Sequence, residues 1–404
     1  MYTTQVLRSG FYCYRTVAPE ERPDGYVLMY MNRFFTVIRS IDWPLFVVTL
    51  LLLSFGLATL FSLTLEHDPA MVERFHKQLI SALIGIVLMI ALAILDYRYF
   101  RDSAYVLFFF TVALLVVVLL YGKTIRGTTG WLDIGILSIQ PVEFAKVFVV
   151  LVLSRFLAHS VDQLVSIKRL IGFLILAVVP SVLVLLQPDF GSAFVLMATV
   201  GGYIFFVKTK KKMIIAVVLL AVLSIVVAWF FVFQDFQRNR VFTFFDPARD
   251  PLGTGYHVSQ AVIAVGSGKL WGRGLGLGPQ SQLKFLPAQE TDFIFAVIAE
   301  QLGFVGTVLV LGLFAFLLFR LLRISVTTHD PFGSLFCLGL ALIIVWHMVI
   351  NIAMNMGMAP VTGLPLPLMS YGRSSLLSLL IGLGIAQSIA VRRRKQQPED
   401  LMIA

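Results

Sequence analysis

Ten apolar runs, each close to the length of a membrane-crossing helix, dominate the 404-residue sequence. The hydrocarbon core of a bilayer takes about 20 apolar residues of α-helix. Runs of that size fall near residues 44–64, 77–95, 103–121, 140–157, 170–187, 191–207, 213–233, 292–319, 332–353 and 370–390. The run opening at Asp292 is long enough to cross at a tilt. Charged residues make up 13% of the chain, against about 25% in soluble globular proteins, so a water-soluble fold could not hide this much apolar surface. The sequence predicts an all-α integral membrane protein of about ten transmembrane helices.

Basic residues orient the chain. They cluster in short runs between apolar segments, so the net charge of +10 reads as a topology signal and not as a nucleic-acid face. With the N-terminus inside, cytoplasmic segments collect roughly 20 Lys and Arg and the short outer loops about five, among the former Arg98, Lys168, Lys210–Lys212, Arg320 and Arg392–Lys395. Both termini are then cytoplasmic. The chain divides into an N-terminal extension (1–40), a ten-helix membrane domain (41–395) and a cytoplasmic tail (396–404). One extracytoplasmic loop, 234–291, is far longer than the other connections. Loops above about 15 residues are functional or disordered, and apolar stretches such as Val258–Val265 predict order, with short interfacial helices. The basic stretch Met31–Pro44 leads into the first span, and the residues before it read as unrelated to any membrane element, which points to a physiological start near Met31.

Ionisable groups inside a membrane are costly and are functional candidates by default. Gln140, Glu143 and Lys146 recur every third residue in "QPVEFAK" and share a helix face. Their helix enters from outside, which places them within roughly 10 Å of the outer interface. A plain Glu143–Lys146 ion pair is the competing explanation. Asp292 opens the eighth span in "ETDFIFAVIAEQ", where a helix-capping role competes, and Glu300 lies two turns deeper. Asp189 and Arg373 stand at other outer helix ends, and Asn351 and Asn355 in the outer half of the ninth span. Charges from several helices at one depth point to a polar cavity open to the outer leaflet, suited to an amphiphile with its head at that level.

Other motifs fail. Gly268–Lys269 is followed by Leu270 where a P-loop needs Ser or Thr, and Gly272–Gly278 follows no strand as a dinucleotide site requires. Cys13 and Cys337 lie in unrelated contexts, so no disulfide framework or thiolate metal site is available. His347 reads as a packing residue. The Pro- and Gly-rich Pro360–Gly372 fits a re-entrant segment lining a cavity, because exposed irregular backbone is not tolerated in lipid.

Taken together, "GWLDIG" with "QPVEFAK" (Gly130–Lys146), "QPDFGSA" (Gln187–Ala193), Asn239–Ala261, Ser281–Gly303 and Met356–Ser375 resemble the SEDS family (shape, elongation, division and sporulation). "QSQLKFLP" favours its elongation branch, RodA-like, over the FtsW-like division branch. The resemblance implies a ten-helix peptidoglycan glycosyltransferase that polymerises lipid II beside a class B penicillin-binding protein. It implies that Asp292 is the essential acid. It allows a divalent cation (Mg2+ or Mn2+) on the substrate diphosphate, and no organic cofactor. On this reading Asp292 is the base for an acceptor hydroxyl. Lys146, held by Glu143, meets the leaving diphosphate, with Arg240 and Arg373 next in line. Glu300 tunes the cavity, and Trp131 stacks on a sugar or anchors its loop. The chain departs from the family pattern at Gly130, Val142 and Arg373; where relatives carry Arg in place of Gly130, Arg126 or Arg373 would have to substitute. A lipid-linked oligosaccharide flippase and a non-catalytic scaffold are the alternatives from other classes.

Overall fold

In a computed structural model the described residues are 40–65, 68–125, 127–134, 137–159, 166–246, 249–250 and 253–400. The expectations on the 1–40 extension, the Met31 start, Cys13, Arg126 and residues 401–404 lie outside them. Among the described residues eight helices are long and apolar enough to cross a membrane: α1 (Trp43–Thr64), α2 (Pro69–Ile94), α4 (Ala104–Tyr121), α6 (Ile167–Leu186), α8 (Lys211–Phe231), α12 (Ile294–Thr327), α13 (Pro331–Asn355) and α14 (Arg373–Asp400, apolar to Arg393). Two more occupy the remaining expected positions: α5 (Pro141–Ala158), which carries Glu143, Lys146 and Arg155, and α7 (Phe190–Phe206). A short α3 (Tyr97–Asp102) joins α2 to α4.

Local chemistry sets many of the helix starts. Asp42, Asp68, Asp189 and Asp330 each accept a hydrogen bond from a first-turn amide of the helix that follows. Proline follows in the first turn of α1, α2 and α13, where its missing N–H costs nothing. Asp42 also accepts from Arg320 Nε at 3.1 Å, and Gln387 exchanges two 3.0 Å bonds with its backbone. This buried knot joins the start of α1 to α12 and to the far part of α14. The first and last spans therefore end on one side, as an even number of crossings requires.

Two features were not anticipated. Residues 123–139 form a three-stranded antiparallel sheet, β1 (Lys123–Ile125), β2 (Thr128–Ile134) and β3 (Leu137–Ile139), with Trp131 opposite Lys123 and Asp133 opposite Ser138. The eighth span is not one tilted helix: α12 breaks at Gly303 (φ 66°, ψ −163°). Residues 304–327 are long enough to cross alone, and 294–302 form a separate buried half-helix.

Loop 234–291 supplies α9 (Asp235–Phe245), α10 (Thr254–Ser267) and the single turn α11 (Pro279–Gln282). It also repairs the break. Arg273 and Gly274 amides donate to the Glu300 and Gln301 carbonyls, while Phe304 and Val305 amides donate to the Lys269 and Leu270 carbonyls, at 2.8–3.1 Å. The end of one helix and the start of the next are thus satisfied by the same loop. Such close approach excludes side chains, since a Cβ on Gly303 would stand 2.2 Å from the Gly272 nitrogen. Gly272 serves this contact, and Gly278 lies against the Glu300 carboxylate.

Candidate active site

Asp292 sits on a turn, not on a helix cap. The Ala288 carbonyl collects the amides of Thr291, Asp292 and Phe293. Asn355, buried at the end of α13, caps the half-helix from outside it: its Oδ1 accepts from the Ala296 amide at 3.0 Å, and its Nδ2 donates to the Asp292 carbonyl at 2.9 Å. Asn351 donates to the same carbonyl at 3.0 Å and to that of Leu364 at 2.8 Å. The two asparagines thus fix the backbone of the acid and leave its carboxylate facing Gly363, in the irregular segment before α14.

That carboxylate opens into a cavity of about 350 Å³. Its wall carries Trp131, Glu143, Asp189, Arg240, Asp292 and Arg373, together with Arg74 and Glu290. Five of the residues expected at the site are therefore together. The Pro360–Gly372 segment lines the cavity as its composition suggested, pinned by Ser370 Oγ donating to the Thr291 carbonyl and by the Tyr371 amide donating to that of Glu290.

The other two expected residues lie elsewhere. Lys146 is 1% exposed, with its ammonium 2.8 Å from Glu143 Oε1 and 3.0 Å from His347 Nε2. It stands behind Glu143, outside the cavity wall that carries Asp292. His347 is thus a buried, hydrogen-bonded packing residue, as expected, with Lys146 as its partner. Glu300 is fully buried and turned toward the loop, accepting from the amides of Gln280 and Ser281 at 2.7 and 3.0 Å. It anchors α11 and does not tune the cavity.

Positive charge in the cavity comes from guanidinium groups. Arg240 donates to the Val361 carbonyl at 3.3 Å and lies 5.5 Å over the Phe236 ring. Burial pulls its pKa below the ordinary arginine range, while the charges of Asp292 and Asp189 oppose that shift. Arg373 begins α14, and the neighbouring Ser374 hydroxyl accepts from the Gln140 amide at 2.9 Å, which joins the starts of α14 and α5. A Cβ at Gly130 would lie 3.7 Å from Gln140 Nε2, so the position without a side chain and the added arginine border the same wall. Arg74 pairs with Glu290. It belongs to the outer end of α2, where no motif singled it out; its position in the first turns of a span, beside Glu73 and Lys77, was the available signal. Among the described residues no three His, Cys, Asp or Glu side chains converge as a metal cage would need. The described residues therefore do not form a dedicated cation site.

A cavity of this kind, with a carboxylate, several guanidiniums and an aromatic rim at the outer end of a helix bundle, can deprotonate a hydroxyl and hold an anionic leaving group. Residues 42–395 match the family model described as cell cycle protein, FtsW/RodA/SpoVE. The chain belongs to this family. It is similar to the peptidoglycan glycosyltransferase MrdB of Escherichia coli K12, with 39% identity over 355 residues covering 88% of this chain and 94% of that one. It superposes with a TM-score of 0.75 at 30% identity, over 87% of this chain and 98% of the other, on a chain solved in work on the structural coordination of polymerization and crosslinking by a peptidoglycan synthase complex. The rod shape determining protein RodA of Thermus thermophilus gives 0.65 at 28% identity, over 88% and 98%. The chain is thus a multi-pass inner-membrane protein of the FtsW/RodA/SpoVE family.

Proposed function

We propose that the cavity around Asp292 is where this peptidoglycan glycosyltransferase joins two lipid-linked sugars, with lipid II as substrate. Asp292 takes the proton from an acceptor 4-hydroxyl. The freed oxygen forms a bond to the donor's anomeric carbon as the bond from that carbon to the diphosphate oxygen breaks. Charge developing on the departing lipid diphosphate is met by Arg240 and Arg373, pre-placed in the cavity wall. Glu143 bounds the cavity on the α5 side, held by Lys146. Trp131 and the sheet cover the sugar region. The observation that carries this reading is one cavity holding the Asp292 carboxylate together with the Arg240 and Arg373 guanidinium groups. A class B penicillin-binding protein fits as partner, since the complex containing the similar chain couples polymerization to crosslinking.

Purified protein with labelled lipid II tests it. Polymer that disappears in Asp292→Asn supports the enzyme. Transbilayer movement of lipid II without any polymer would instead favour a flippase, and the absence of both a scaffold.

A further inference from the structure

Arg74 is the cavity cation whose charge is already committed. Its partner Glu290 is 3% exposed, and among the described residues Arg74 is the only cation within ion-pair distance of it. A carboxylate left unpaired at such burial is strongly destabilising. Glu290 lies two residues before Asp292, on the turn whose amides converge on Ala288. Two non-glycine residues in left-handed backbone stand here, Ala288 (φ 52°) at the start of the turn and Lys284 (φ 56°) just before it. Such conformations persist only where the surroundings hold them. The second link between the turn and α2, Lys284 to Asp68 at 2.7 Å, is exposed and holds weakly. Below the pair, Gln78 of α2 donates to the Ser370 carbonyl at 3.0 Å and accepts from the Gly372 amide at 3.2 Å, so α2 is tied to the segment whose Ser370 and Tyr371 bond the turn.

We propose that Arg74 is a positioning residue: by neutralising Glu290 it holds the 288–292 turn against α2 and keeps the Asp292 carboxylate aimed into the cavity. Without it the uncompensated Glu290 carboxylate pulls toward water and strains the turn, shifting the Asp292 side chain while Asn351 and Asn355 still hold its carbonyl. This rests on the reading of the cavity as the glycosyltransferase site.

The test uses the full chain in nanodiscs, with lipid II polymerisation rates and thermal unfolding measured side by side. Arg74→Ala is expected to lower kcat on the order of 100-fold, the scale on which a small misplacement of a catalytic group acts. KM should change less than about threefold, since ground-state binding is not what was removed. Arg74→Lys, which keeps the charge, should restore most of the rate. The double variant Arg74→Ala/Glu290→Gln, which removes the orphaned charge, should recover at least about tenfold over Arg74→Ala. A double variant as slow as Arg74→Ala, or a loss carried by KM, overturns the proposal and makes Arg74 a substrate contact. If Arg74→Ala does not fold, a double variant that folds and polymerises supports the pair, and one that does not fold refutes it. Wild-type protein that makes no polymer refutes the functional reading itself, which separates the two failures.

Discussion

Asn355→Leu separates capping from catalysis at the Asp292 turn. In the native chain the Asn355 amide satisfies both the Ala296 N–H and the Asp292 carbonyl, and it is fully buried. Leucine has similar volume and no polar atoms. The Asp292 carbonyl keeps its bond from Asn351, so the main loss is one buried amide left without an acceptor. That costs about 1–3 kcal/mol, equivalent to a fall of roughly 1–4 °C in unfolding temperature for a chain of this length. Loosening the turn should also lower polymerisation about tenfold or more. Asp292→Asn is the matched control. If Asp292 is there for chemistry and Asn355 for the cap, Asp292→Asn abolishes polymer while its unfolding temperature stays at the wild-type value. Scanning fluorimetry and gel-resolved polymer yield measure both quantities on the same preparations. An Asp292→Asn protein that unfolds as early as Asn355→Leu, or an Asn355→Leu protein with wild-type stability, would refute the reasoning.

Gly303→Ala places a Cβ 2.2 Å from the Gly272 nitrogen in backbone reserved for glycine; it should cost at least about 3 kcal/mol, read as lost thermal stability. Lys146→Ala leaves Glu143 as an unpaired buried charge and should destabilise the bundle by about 3–5 kcal/mol, whereas a Lys146→Met/Glu143→Gln pair should recover most of that stability in the same unfolding assay. Arg373→Ala, by contrast, should leave the unfolding temperature unchanged and lower kcat for lipid II polymerisation, checked by steady-state kinetics. Glu300→Gln keeps the acceptor for one loop amide but weakens two charge-assisted bonds, so a loss of about 1–3 kcal/mol is expected with KM unchanged.

Much of the site was legible before any coordinates. Glu143, Asp292 and Arg373 could be placed at one depth because a helix of fixed rise carries each of them a countable distance from the interface. Pro360–Gly372 could be expected at a cavity because irregular backbone survives in a membrane only there. Sequence separation hid the rest. Lys146 looked like the best cation on its helix face, yet His347, brought in by another helix, holds it away from the cavity. Capping was the natural rival for Asp292, and only the position of Asn355 removes it. Glu300 seemed to point into the site until the loop amides that it accepts from were in view.

The sequence by itself determined where the spans lie and carried the signal that orients them. Those depend on transfer of each segment between water and lipid and on the basic residues flanking it, which are local quantities. Tertiary structure alone decided which charges pair and which face the substrate. Arg74 with Glu290, Asp42 with Arg320, and the glycine contact that breaks α12 at Gly303 each join residues far apart in the chain. A buried charge takes its role from its partner, and the fold chooses the partner.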